Sequence, residues 1–186
     1  DITNTSTFSL SPIGVSIDYG FEYFHDKVTT EDGGVNPSGN EGVGGVYTQT
    51  TFSYSIVDVI VGLRYDFFNL SGEAASPSAP PGITPPADGV TDLDQSEGKF
   101  SPKFTVAVTP LNWLQLYGTY EWTFRPPTPS EALFGGVHPE AGGGFEPVFY
   151  PNPNLKPERG KGFEFGANVL YKGLLLENDG LRLKAD

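Results

Sequence analysis

Long runs in which apolar and polar residues strictly alternate are the feature that most constrains this chain. From Val15 the apolar set is Val15, Ile17, Tyr19, Phe21 and Tyr23, set against Ser16, Asp18, Gly20 and Glu22. From Val57 it is Val57, Val59, Val61, Leu63, Tyr65 and Phe67, against Asp58, Gly62, Arg64 and Asp66. Phe100, Phe104, Val106 and Val108 alternate with Lys99, Ser101, Lys103 and Thr105. Leu114, Leu116, Tyr120, Trp122 and Phe124 alternate with Gln115, Thr119, Glu121 and Thr123. Phe163, Phe165, Ala167, Val169 and Tyr171 alternate with Glu164, Gly166 and Asn168, and 46–54 and 181–186 do so more weakly. Side chains of a strand point to opposite faces in turn, so a period of two predicts strands with one apolar face.

A soluble sandwich also has one apolar face per strand, turned inward. Three features favour a membrane barrel instead. The alternating runs are roughly ten to twelve residues long, against a mode of about five to six in soluble proteins, and about nine to eleven tilted residues cross a bilayer. Aromatics gather near run ends on the apolar face, as in interfacial girdles. The other face carries full charges (Asp18, Glu22, Arg64, Asp66, Lys103, Glu121, Glu164), which suits a water-filled lumen. Connections alternate as well: short near 11–14, 54–57, 109–112 and 173–180, long at 27–45, 70–97 and 125–160. That is the rhythm of short periplasmic turns and long outer loops. The Pro/Ser/Gly-rich 70–97 segment reads as non-strand. The expectation is an all-β fold, a transmembrane antiparallel β-barrel of which this chain supplies about eight strands.

Composition narrows the rest. A net charge of −12 argues against nucleic-acid binding. The absence of Cys removes thiol catalysis and thiolate metal sites, and no nucleophile elbow is present; no enzyme is expected. The chain has no Met and no signal-peptide pattern, and it stops within an alternating run at Asp186. Residues 1–186 are therefore read as one piece of a barrel domain, with no internal domain boundary.

The 125–160 segment carries the specific signal. It opens with Phe124-Arg125-Pro126-Pro127-Thr128, passes through Gly135-Gly136-Val137-His138-Pro139, and closes with Tyr150-Pro151-Asn152-Pro153-Asn154-Leu155-Lys156-Pro157-Glu158-Arg159. This order resembles TonB-dependent heme receptors, in which a Phe-Arg-Ala-Pro-type box and an Asn-Pro-Asn-Leu-type box bracket an outer loop with a heme-ligating histidine. The Arg-Pro-Pro form and the Gly-Gly-x-His spacing look closest to hemophore-binding receptors. The resemblance implies a bacterial outer-membrane protein that takes up heme, free or from a hemoprotein or hemophore met at the extracellular face. It implies no catalytic cofactor, with heme as cargo. It further implies contact with TonB through an N-terminal plug outside these residues, and with outer-membrane lipid around the barrel.

On this reading His138 is an axial ligand of the heme iron, since a neutral imidazole in an outer loop can bind it. Phe134, Phe145 and Phe149 are candidates to cover the porphyrin, and Gly142 to Gly144 let backbone approach a flat macrocycle. Without the two boxes His138 would read as an ordinary polar loop residue. His25 has no such context and reads as an interfacial or loop residue. The boxes themselves (Phe124, Arg125, Pro126, Pro127 and Asn152, Pro153, Asn154, Leu155) read equally well as packing that fixes the loop base to the rim, and Glu158 and Arg159 as a rim pair. A siderophore or cobalamin receptor is the alternative within the same class, because such receptors carry relatives of both boxes. A soluble surface β-sandwich that binds sugars or proteins is the alternative outside it.

Overall fold

A computed structural model describes residues 1–29, 37–75, 90–137, 148–173 and 179–186. In chain order the strands are β1 (Ile2–Leu10), β2 (Ile13–Val28), β3 (Ser38–Tyr54), β4 (Val57–Ala75), β5 (Val90–Leu111) and β6 (Leu114–Arg125). A short helix α1 (Pro129–Leu133) and two two-residue strands, β7 (Gly136–Val137) and β8 (Val148–Phe149), come next; β9 (Glu158–Lys172) and β10 (Gly180–Ala185) follow. Eight strands form one antiparallel sheet in the order β1-β2-β3-β4-β5-β6-β9-β10, while β7 and β8 pair with each other. β1 and β10 are both edges, so the sheet is an unclosed sector of wall.

Tight turns join the strands at one end: Ser11-Pro12, Ser55-Ile56 and Asn112-Trp113. Ser55 sits at φ 55°, the left-handed region that a two-residue reversal uses. The β9–β10 connection lies at this same end, and the β2–β3, β4–β5 and β6–β9 connections leave from the opposite end, as the loop rhythm predicts. Two of them are much shorter than the sequence suggests. Residues 70–75 and 90–97 belong to β4 and β5, and most of 27–45 is β2 and β3. Alternation alone hid these stretches, for a reason visible in the faces. β1 is the strand that the short 11–14 connection and the count of about eight require, although Asn4 and Ser6 interrupt its apolar face.

The registers sort every strand into two faces. Across β3 to β6 the series Thr50, Val61, Phe104, Tyr120 runs along one face, and Phe163 on β9 continues it. This face is exposed and apolar: Phe163 and Phe165 are 74% and 73% exposed. No second sheet covers it among the described residues, so the packed sandwich is set aside. The opposite face carries ionic and polar pairs: Lys103–Glu121 at 3.6 Å, Lys184–Glu164 at 3.6 Å, Arg64–Asp66 at 2.5 Å, Arg64 with Glu22, and the buried Thr105–Thr119 hydroxyl pair at 2.8 Å. Pairs of this kind suit a water-filled barrel interior.

Near the loop end the polarity of the faces reverses while the period of two continues. On β4, Val61, Leu63, Tyr65 and Phe67 point outward, but the next outward positions are Asn69, Ser71 and Glu73; inward, Arg64 and Asp66 give way to Phe68 and Leu70. β2 changes in the same way, from Tyr19, Phe21 and Tyr23 outward to His25 and Lys27, and from Glu22 inward to Phe24. The switch points fall on one registered row, Tyr23–Gly44–Phe67–Gly98. Below that row the outside is suited to hydrocarbon; above it the outside is suited to water and the apolar side chains turn in. His25 therefore stands within β2 opposite Gly42 rather than in a loop. At the row itself the tip of the Phe67 ring abuts Gly44, where an added Cβ would be 2.5 Å from it.

Candidate functional site

Above the switch row the inward face of β4 and β5 is capped by α1. Phe68, Leu70, Leu93, Ala132 and Leu133 form a buried cluster, with Val43 and Phe124 packed against it. Phe68, Leu70 and Leu133 are the largest fully buried side chains described, and each contributes roughly 1.5 to 3 kcal/mol of apolar burial. The backbone approaches closely beneath the helix: a Cβ on Gly72 would meet Leu133 at 2.8 Å.

The helix forms where it does because of a capping box. Thr128 accepts from the Glu131 N–H at 3.3 Å, and the Glu131 carboxylate accepts from the Thr128 N–H at 2.9 Å, with Pro129 in the first turn. The same carboxylate accepts two parallel bonds from the Arg125 guanidinium, both 2.9 Å, and Arg125 Nε donates to Glu158 at 2.9 Å. Arg125 and Glu158 are registered partners at the ends of β6 and β9, so one side chain ties the two strands that bracket the loop to the helix between them. The Arg125 guanidinium holds the Glu131 carboxyl down to about 2, and it also lowers Glu158.

The second box closes the same structure from the other side. The Asn152 N–H donates to the Ala132 carbonyl at 2.7 Å, and Asn152 Oδ1 accepts from the Asn154 N–H at 3.2 Å. Gln95 on β5 donates to the Pro153 carbonyl. Gly135 lies against Pro151, whose Cδ would be 2.7 Å from an added Cβ, which makes glycine necessary at this neck. Immediately beyond it β7 and β8 pair, Gly136 with Phe149 and Val137 with Val148. A cleft of about 470 Å³ opens at the base, lined by Arg125, Pro127, Glu131, Phe134, Leu155 and Glu158.

All eight residues of the two predicted boxes thus meet at one rim, and their visible contacts build the base of the loop. Arg125 and Asn152 make hydrogen bonds, Pro127 is buried, and Phe124 packs on Phe68 with ring centroids 6.2 Å apart. Glu158 and Arg159 do not pair with each other: adjacent strand residues point to opposite faces, so Glu158 meets Arg125 and Arg159 meets Glu97. Sequence reading gave no role to Thr128, Glu131 or Gln95. Thr128-x-x-Glu131 with Pro129 was a legible helix-start signal; Gln95 carried none. His138, Pro139, Gly142 to Gly144 and Phe145 lie outside the described residues.

Against this geometry the family model for the TonB dependent receptor-like β-barrel matches residues 1–186. The chain belongs to the TonB-dependent receptor β-barrel family. It is 30% identical to a Hemin receptor of Yersinia pestis over 97% of its own length and 25% of that protein's. It is 28% identical to Heme/hemopexin utilization protein C of Haemophilus influenzae over 92% and 23%. Among solved structures it resembles the Serratia marcescens hemophore receptor HasR in complex with its hemophore HasA and heme, at 34% identity and a TM-score of 0.77, covering 98% of this chain and 31% of that one. The ferric-catecholate receptor Fiu of E. coli, at 17% identity and a TM-score of 0.58 over 93% and 28%, shares the fold. The chain spans about a quarter of the length of the curated relatives it matches.

Proposed function

We propose that this chain is a sector of the barrel wall of an outer-membrane receptor that takes up heme, energised through TonB, with His138 as one axial ligand of the iron. The carrying observation is the similarity to heme-named relatives over nearly the whole chain, including a 34% identical hemophore receptor whose structure holds heme. The rim supports it: the two boxes anchor both ends of the segment that contains His138, above an interior face that is polar and charged. A histidine tethered between such fixed points loses less entropy on ligating iron than one on a free loop. On this reading the plug and the TonB contact belong to the part of the receptor beyond these residues, and heme is cargo.

The test is His138→Ala in the full-length receptor, read by the Soret band on heme titration and by growth on heme iron. A loss or clear shift of the ferric Soret signature with the receptor still in the outer membrane is expected. Unchanged heme binding and growth would remove the ligand assignment. Uptake of a ferric siderophore without heme binding by the unmodified receptor would favour the siderophore alternative.

A further inference from the structure

The cleft at the base of the 125–160 segment lies on the side of α1 turned away from the wall. Pro129, Ala132 and Leu133 are the buried residues of the helix, whereas Glu131 and Phe134 line the cleft. Because α1 packs on the inward face of β3 to β5, the cleft opens into the mouth of the barrel. Its volume of about 470 Å³ falls within the range of small-ligand sites, roughly 300 to 1,000 Å³.

The lining divides by chemistry. Pro127, Phe134 and Leu155 supply apolar surface, and Arg125 and Lys156 are the cations. Arg125 is committed to Glu131 and Glu158, the two carboxylates that also line the cleft. Lys156 takes part in neither pair and is exposed, so it is the cation of this cleft that can receive an anionic group. Its backbone is fixed on both sides. The Leu155 N–H donates to the Asn152 carbonyl at 3.1 Å, the Asn152 N–H donates to the Ala132 carbonyl at 2.7 Å, and Gln95 donates to the Pro153 carbonyl; Pro157 restricts φ at the next position. A lysine rooted in this way loses less freedom on binding than one on a free loop. Phe134 precedes His138 by four residues, so at most about 14 Å separates their Cα atoms. A flat ligand held at His138 lies within reach of the cleft.

We propose that this cleft is a subsite for the acidic edge of heme, with a carboxylate side chain of the porphyrin on the Lys156 ammonium and the ring edge against Phe134 and Leu155. The subsite rests on the heme reading above, and it makes Lys156 a specificity-determining residue that selects macrocycles with free acid groups. The test uses full-length receptor in nonionic detergent, titrated with heme and with heme whose carboxylates are methyl-esterified, binding being read from the Soret band. An exposed ion pair is worth up to about fivefold in binding, so the parent should hold the free acid roughly three to five times more tightly than the ester. Lys156→Gln should remove that preference by weakening the free acid alone, with the Soret position unmoved, and Lys156→Arg should keep it. Equal binding of acid and ester by the parent would overturn the subsite and leave heme uptake in place. So would an undiminished preference in Lys156→Gln, or an equal weakening of both ligands in that variant. A parent receptor that binds neither ligand would overturn the heme reading, and the subsite with it.

Discussion

The Arg125 guanidinium lies in a two-bond fork with the Glu131 carboxylate, both bonds 2.9 Å long. It is through this fork that the end of β6 grips the only helix described. Geometry matters here more than charge, because a planar donor pair matches a carboxylate and a single ammonium does not.

Arg125→Lys should therefore behave as a loop variant with an intact barrel. In the full-length receptor, limited proteolysis within 126–157 is expected to accelerate several-fold, while the barrel's heat-modifiable migration stays unchanged. Protease resistance equal to that of the parent would show that the fork does not anchor the loop. Thr128→Ala, which removes the other half of the box, should loosen the helix by about 1 kcal/mol.

The acid response has a definite sign. Arg125 holds Glu131 down to about 2, from an ordinary 4.5. A carboxyl depressed in the folded state contributes stability that is present above its unfolded value and is lost as pH falls through the folded one. The contribution of the Arg125–Glu131 fork to loop anchoring should thus be constant from neutral pH to about 4.5 and decline between there and about 2. Hydrogen exchange of the Glu131 and Ala132 amides across that range measures it, and protection lost already at pH 6 would contradict the assignment.

Glu41 should act in the opposite direction. It lies on β3, above the switch row, only 9% exposed. Burial raises its pKa first, and the charges of Asp26 and Glu131 raise it further. Its charged form therefore opposes the packed state, so Glu41→Gln is expected to slow proteolysis of the loop at neutral pH and to flatten any gain seen on mild acidification. Faster cleavage in Glu41→Gln would mean that the carboxylate makes a stabilising contact.

Leu133→Ala tests the buried cluster. Removal of a fully buried leucine costs about 2 to 5 kcal/mol, enough to undock a five-residue helix. Exchange protection in α1 should collapse while β6 and β9 keep theirs. If β6 and β9 lost protection equally, the cap would have to be part of the barrel's own cooperative unit.

Much of this was legible in the sequence, and what was missed had a physical cause. The runs at 57–67 and 114–122 alternate cleanly because one side faces lipid and the other the interior, and they give the faces correctly, whereas Phe124, past the last registered pair of β5 and β6, packs on the inward Phe68. Residues 70–75 and 90–97 read as loop because the polarity flips at Phe67-Phe68 without the period changing. A pattern tuned to one solvent outside cannot follow a strand into another. The adjacent Phe67-Phe68 and Tyr23-Phe24 pairs were the available sign of that flip. At the rim the two boxes were visible as motifs, but their joining through Arg125 and Glu131 depends on three-dimensional proximity. Glu158 and Arg159 were misassigned for want of the face rule: neighbours along a strand cannot meet.

The reversal of polarity along β2 to β5 also dictates an order of assembly. Phe68, Leu70 and Leu93 can find Leu133 only on the far side of the apolar band, so every one of them must be carried across the membrane before the cluster exists. In transit the polar side chains that alternate with them travel too, among them Asn69, Ser71 and Asp94. The cap thus cannot close before those strands have crossed. It works as a latch: once closed, sliding the hairpins back would require pulling those polar groups into hydrocarbon and breaking the cluster together.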